Sequence, residues 1–423
     1  MIRFYNGKIL KMDGSHPFDG EVWIDGDTIK YVGNTPESLP DFDRQIDLRG
    51  DLLMPGFKNA HTHSAMTFLR SYADDLPLND WLYNKVFPLE AKLNEDHIYW
   101  LTKLAVMEYL TSGITAAFDM YFFRLTYAQS VKECGFRSVI VPGFNDFSSG
   151  GIELIEDEYN RLNAFDPLVS YKIGFHAEYT TSKEHMTQVA ELARKYREPV
   201  FVHNSETAAE VQGCIDRYGM TPTELFDELG MLEYGGGGYH CVYMSDHDLE
   251  IAKNRGMWIV TNPASNAKLA SGIAPITKYM ELGLNLAIGT DGPASNNALD
   301  MFREMYLVTA LQKLRLSDAA ACDADRVIEM ATVGGARCMG LDDCDTIEVG
   351  KKADLIVLDM SRPNMRPLNN ITKNIVYAGS KENVRITMIA GRILYENGEF
   401  FIGTEPETVY DNAERIVKEL VEG

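Results

Sequence analysis

The chain alternates short apolar runs with longer stretches whose apolar residues recur at helical spacing. Strand-like runs fall at ITAAFD (114–119), SVIVPGF (138–144), YKIGFH (171–176), VFVH (200–203), YHCVY (239–243), MWIVTN (257–262) and LAIGTD (286–291). With the run that leads to His61, they number eight. Helical patterns separate most of them. NEDHIYWLTKLAVMEYLTSG ends on a glycine, and SKEHMTQVAELARKYREP starts on a serine N-cap and stops before a proline. Strand–helix alternation repeated eight times is the pattern of a (β/α)8 TIM barrel.

The two ends of the chain read differently. IRFYNGKILKMD, EVWIDGDTIKYVG and RQIDLRGDLLMPG are strands broken by Asp/Gly turns, and ADLIVLDM and VRITMIAGRILYENGEF repeat that texture. They predict a small composite β-sandwich domain from residues 1–55 and 345–423, beside a catalytic barrel of residues 56–344. A last helix is expected at PETVYDNAERIVKELVEG.

The apolar runs finish on imidazoles and carboxylates: His61-Thr62-His63, His176, His203, His240 and Asp291. A parallel barrel brings such strand ends together at one rim. Residues i and i+2 of a strand face the same side, so His61 and His63 can grip one ion. Alone, a His-x-His pair is a weak signal. Joined by His203 and Asp291, it becomes three imidazoles and a carboxylate, a donor set that suits one divalent metal: zinc, with ferrous iron as the substitute. Glu206 lies three residues past His203, where it is better placed to move protons than to ligate. His240 reads as a donor that orients the metal's water. A two-metal site bridged by a modified lysine is the competing arrangement, but Lys172 precedes its strand end by four residues. One metal is favoured.

Charge and composition narrow the rest. A formal charge of −22 leaves no basic surplus to neutralise phosphates, which argues against nucleic acid as a partner. The longest apolar stretches are strand-length, so no membrane span is expected, and the N-terminus does not read as a signal peptide. The expected location is the cytoplasm. Six cysteines without a Cys-x-x-Cys pair read as buried or free thiols. His16, His97, His185 and His247 fall in turns or first helical turns and read as solvated or capping residues. The apolar segment 66–93 is too long for a simple turn and is expected to form a lid over the site.

PGFKNAHTH, the His-x-x-Glu, the isolated His240 and TDGPASNN resemble the amidohydrolase superfamily. The similarity is to its methylthioadenosine/S-adenosylhomocysteine deaminase and chlorotriazine hydrolase branch, and it extends over RSYADDLPLNDWL and SNAKLASGIAPI. It implies one metal held by His61, His63, His203 and Asp291, and a homo-oligomer. It also implies two substrate contacts: Glu90 on the ribose hydroxyls and His176 on the purine. Relatives that accept S-adenosylhomocysteine carry an arginine after the third strand, whereas FNDFSSGGIELI has no basic residue. Arg124 or a neighbouring subunit are the remaining sources of one. The expected reaction is hydrolytic deamination of an adenosine-type nucleoside with a small or neutral 5′ group. Asp291, His240 and Glu206 handle the protons. The alternative is a deaminase or dechlorinase of a free base, pterin or triazine.

Overall fold

A computed structural model describes residues 1–76 and 78–422. Pro77, within the expected lid, and Gly423, at the end of the expected last helix, lie outside the described residues.

Eight parallel strand positions form the barrel: Phe57–Thr62, Ile114–Tyr121, Arg137–Pro142, Val169–Tyr171 continued by Ile173–Ala177, Val200–Asn204, Gly236–His240, Trp258–Thr261 and Asn285–Ile288. The fourth is interrupted at Lys172. Its first half pairs with the third strand, and its second half pairs with the fifth. The ring meets where the backbone N–H groups of Thr290 and Asp291 both donate to the His61 carbonyl, at 3.1 and 3.0 Å. Small residues (Ala60, Ala116, Ala287) interdigitate with large ones (Phe118, Phe201, Tyr239) inside, so the barrel is a packed core rather than a pore.

The sixth strand begins earlier than its hydrophobic pattern indicates and stops at His240 instead of running on to Tyr243. Its first half is the glycine run 236–238. A Cβ on Gly237 would sit 2.7 Å from the Phe201 ring, and one on Gly236 would sit 2.2 Å from the Val200 carbonyl oxygen. Gly238 is closed in as well, by Cys241 Sγ at 2.5 Å and the Met257 methyl at 2.7 Å, so only glycine fits along this run. His240 and Cys241 then take positive φ (72° and 47°), which ends the strand. The eighth strand likewise stops at Ile288, and Asp291 sits three residues beyond it in a turn, at φ 59°.

The predicted serine cap is present, and Asn94, not marked as a cap by the sequence pattern, caps another barrel helix. Asn94 accepts from the His97 N–H at the start of Glu95–Thr111, and Ser182 accepts from the His185 N–H at the start of Lys183–Tyr196. Strands from the two chain ends combine into one nine-stranded sheet. Leu52–Pro55 joins them, pairing with Leu355–Leu358 on one side and with Ile2–Ile9 on the other. Phe4, Val22, Leu53, Leu355 and Val357 form its core. The last helix, Pro406–Glu422, leaves this sheet and packs on the barrel helix Glu95–Thr111, where Arg415 pairs with Asp96 at 2.6 Å. No helix among the described residues is long and apolar enough to cross a membrane.

Candidate active site and metal centre

The C-terminal ends of the barrel strands bring His61, His203, His240 and Asp291 together. One donor atom from each lies within 4.8 Å of the others, and all four residues are buried. His63 completes the group from one residue past its strand, with Nε2 3.2 Å from Asp291 Oδ1. Three of the imidazoles are held by backbone or side-chain oxygens through Nδ1. His63 Nδ1 donates to the Met120 carbonyl at 2.5 Å, His203 Nδ1 to the His176 carbonyl at 2.7 Å, and His240 Nδ1 to Asn266 Oδ1 at 2.7 Å. Each bond leaves Nε2 free to face the centre. His61 has no hydrogen-bond partner at either nitrogen, and its Nε2 stands 3.6 Å from Asp291 Oδ1, too far for a hydrogen bond. An orphaned, fully buried imidazole beside a carboxylate and further open Nε2 atoms is what a divalent ion satisfies. The donor set fits the group.

Electrostatics at His61, His203 and Asp291 agree with that chemistry. Burial pulls His61 down to about 3, and burial with the surrounding imidazoles puts His203 well below the usual range, so both rings present lone pairs at neutral pH. Burial alone would raise the Asp291 carboxyl, but His61 and His63 hold it well below its ordinary value. Burial opposes the charge on His63, yet the hydrogen bond and charge of Asp291 raise it to about 9. Asp291 Oδ2 accepts from Ser265 Oγ at 2.6 Å and from Ser295 Oγ at 2.8 Å, which turns Oδ1 toward the histidines. Ser205, His240 and Asp291 all sit at positive φ, so the rim carries backbone strain that its hydrogen bonds offset.

Glu206 occupies the short loop between the fifth strand and the helix Ala208–Tyr218. The Glu210 carboxylate holds that loop by accepting from the N–H groups of Ser205 and Glu206, both at 2.8 Å. Glu206 Oε1 accepts from Ser271 Oγ at 2.8 Å, and Oε2 lies 3.8 Å from His240 Nε2.

A cavity of about 410 Å³ opens over this centre. His63, His176, His203, Glu206, His240 and Asp291 form its floor and one side. The expected lid contributes Met66, Trp81, Leu82, Tyr83, Val86, Phe87 and Glu90 to its walls. Glu90 Oε1 accepts from the Tyr121 hydroxyl at 2.7 Å, and its withdrawal from solvent raises the carboxyl above its ordinary value. His176 is pulled down to about 4 by burial, and its Nδ1 lies 2.9 Å from Thr180 Oγ1. Among the described residues, no lysine or arginine lines the cavity. Arg124 is committed to Glu158 at 2.5 Å and to the Tyr121 carbonyl, so it does not supply the missing cation. Lys172 lies at the opening of its strand and pairs with Glu198 at 2.9 Å, far from any bridging role.

The folded chain thus brings all the predicted site residues to one rim. Tyr121, Ser265, Asn266, Ser271 and Ser295 were not singled out by sequence. Ser265, Asn266 and Ser271 lie in SNAKLASGIAPI, a segment noted for its resemblance and given no role, while nothing distinguished Tyr121.

Fold, donor set and cavity together define a metal-dependent hydrolase built on a (β/α)8 barrel. The chain belongs to the amidohydrolase family, whose pattern matches residues 52–394. It is 41% identical to the 5-methylthioadenosine/S-adenosylhomocysteine deaminase of Syntrophobacter fumaroxidans, over 93% of this chain and 92% of that one. It is 39% identical to the 5′-deoxyadenosine deaminase of Methanothermobacter thermautotrophicus, over 95% of each. Its fold matches the crystal structure of an adenosine deaminase from Xanthomonas campestris with bound zinc. The TM-score is 0.95 at 32% identity, covering 100% of this chain and 99% of that one.

Proposed function

We propose that this enzyme deaminates adenosine-type nucleosides bearing a small, neutral 5′ group (adenosine, 5′-deoxyadenosine or 5′-methylthioadenosine), giving the inosine analogue and ammonia. One observation carries the reading: a largely apolar cavity has a metal-type donor set with Glu206 at its floor and one side, and a further carboxylate, Glu90, in the wall supplied by the segment 66–93. A nucleoside presents the matching pair, a reactive ring and a ribose diol. The similarity to enzymes named for deaminating such nucleosides supports it. S-adenosylhomocysteine, with its amino-acid carboxylate, lacks a cationic partner among the described lining residues.

His61, His63, His203 and Asp291 are assigned as ligands, and zinc is the metal that three imidazoles and one carboxylate suit best. When bound, the ion supplies a nucleophilic oxygen at neutral pH by lowering the pKa of water toward about 7. Asp291 would take the proton that the water gives up, and His240 Nε2 would orient that water toward C6. Glu206, in its protonated form, would deliver a proton from Oε2 to ring N1 so that C6 becomes electrophilic. Asp291 would pass its proton to the exocyclic nitrogen, the C6–N bond would break to release ammonia, and the C6 hydroxyl proton would return to Glu206 as the carbonyl forms. His176 contacts the purine and Glu90 accepts from the ribose hydroxyls, which fixes C6 over the floor. Catalysis is assigned to residues 56–344, with 1–55 and 345–423 as the accompanying domain. We place the enzyme in the cytoplasm as a homo-oligomer, and light scattering on the purified protein measures its subunit count.

Ammonia release by zinc-loaded protein is the test, with adenosine, 5′-deoxyadenosine, 5′-methylthioadenosine and S-adenosylhomocysteine compared side by side. The expected order puts the three neutral nucleosides ahead of S-adenosylhomocysteine. No turnover of any of the four overturns the proposal.

A further inference from the structure

The loop after the seventh strand touches all three groups assigned to proton handling, each through a different side chain. The segment runs from the short helix Pro263–Lys268 to Gly272. Ser265 Oγ donates to Asp291 Oδ2 at 2.6 Å, His240 Nδ1 donates to Asn266 Oδ1 at 2.7 Å, and Ser271 Oγ donates to Glu206 Oε1 at 2.8 Å. The three side chains sit within seven consecutive residues and are 0%, 2% and 4% exposed, so water does not compete for these bonds.

The chemistry of each bond is directional. An amide oxygen only accepts, so Asn266 Oδ1 requires the proton of His240 on Nδ1. Nε2 is thereby left as a lone pair facing the site, so His240 accepts there rather than acting as the donor that the sequence led us to expect. A serine hydroxyl that donates to one carboxylate oxygen leaves the other to carry a moving proton, and here that other is Glu206 Oε2. Asn266 also serves Ser271. Its carbonyl accepts from the Ser271 N–H at 2.9 Å, while Ala270 and Gly272 turn the chain at positive φ (54° and 134°) to present the hydroxyl. One residue therefore sets both the tautomer of His240 and the placement of the serine that orients Glu206.

The platform is itself tied to the loop that carries Asp291. Glu304, fully buried, accepts from the Ala264 N–H at 3.0 Å and from Asn296 Nδ2 at 2.7 Å. The helix and the turn 291–297 cannot shift independently.

We propose that Ser265, Asn266 and Ser271 are positioning residues that select the proton-bearing atom on each catalytic group, with Asn266 as the shared anchor for His240 and Glu206. This rests on the assignment of Glu206 and His240 under Proposed function. The test pairs kinetics with a signal independent of turnover. In zinc-loaded protein carrying 15N-histidine, the His240 ring, assigned against His240→Gln, should show the Nδ1–H tautomer. In Asn266→Ala it should move toward the Nε2–H form, and Asn266→Asp should keep Nδ1–H. With 5′-deoxyadenosine, Ser271→Ala should lower kcat by about tenfold or more at nearly constant KM, the scale on which such supporting partners act. Ser271→Thr, which retains the hydroxyl, should recover most of it. Metal content and melting temperature should stay at wild-type values in the Ser271 pair.

An unchanged His240 tautomer in Asn266→Ala, or full kcat in Ser271→Ala, overturns the proposal. Equal losses in Ser271→Ala and Ser271→Thr do so too, because packing rather than the hydroxyl would then matter. Glu206→Gln separates the two levels. If it turns over like wild type, the functional assignment has failed; if it is inactive while Ser271→Ala is fully active, only the positioning proposal has.

Discussion

The hydroxyl of Tyr121 donates to Glu90 Oε1 at 2.7 Å, joining the second barrel strand to the far end of the lid segment. That bond occupies one face of the carboxylate and keeps the rest toward the cavity, where a ribose diol is expected.

Glu90→Gln should therefore reduce kcat/KM for 5′-deoxyadenosine by about 10- to 100-fold, since a hydrogen bond to a charged group contributes roughly 1.5–3 kcal/mol. Tyr121→Phe should cost less. The wild-type carboxyl titrates above its ordinary 4.5 because it is withdrawn from solvent. Nucleoside kcat/KM should then fall as pH drops through that raised value, and Glu90→Gln should lose this limb. A Gln variant with unaltered nucleoside kinetics rules out the ribose assignment.

Metal removal makes a second prediction. His61 is fully buried with both nitrogens unpartnered, so the apo protein carries an unsatisfied polar group at its centre. Dialysis against a chelator should abolish ammonia release and lower the melting temperature, and added zinc should restore both. At metal concentrations a thousandfold above Kd, the stabilisation is about 4 kcal/mol. Identical melting curves with and without metal would contradict the ligand assignment.

Glu304 supplies the pH dependence of stability. Burial raises its carboxyl to about 8 in the folded protein, against an ordinary 4.5, although Ala264 N–H and Asn296 oppose the shift. Between those values the folded state binds the extra proton, so this contribution is fully present below 4.5 and is lost as pH rises through 8. Urea melts at pH 5 and pH 9 should show the difference shrinking in Glu304→Gln relative to wild type. Equal pH dependence in the two proteins would show that Glu304 is not responsible.

The junction between sheet and barrel rests on a buried pair. Arg137, on the third barrel strand, donates to Asp354 through Nε at 2.6 Å and Nη2 at 3.0 Å, and Ala390 N–H adds a third bond at 2.8 Å. Asp354→Ala strands a buried guanidinium and should cost about 3–5 kcal/mol in chemical denaturation. A loss below about 1 kcal/mol would place the pair among screened surface bridges.

The sequence carried what is local. Apolar runs between amphipathic stretches announced strands and helices, and Ser182 announced a cap, because spacing and capping depend on near neighbours alone. It misjudged the sixth strand, where 236–238 are glycines with no hydrophobic signature. Glycine is needed there because the Val200 backbone, the Phe201 ring and the Cys241 and Met257 side chains fill the space a Cβ would take.

His61, His63, His203, Glu206, His240 and Asp291 could be named from sequence because each lies at or just beyond the end of an apolar run, and a parallel barrel sends all such ends to one rim. That convergence follows from the alternation pattern itself. What holds those groups in working geometry does not. Asn266 reaches His240 across 26 residues of chain and Ser271 reaches Glu206 across 65, contacts that exist only once neighbouring strands are side by side. A hydrogen bond depends on distance and direction in space, so these contacts were decided by the fold.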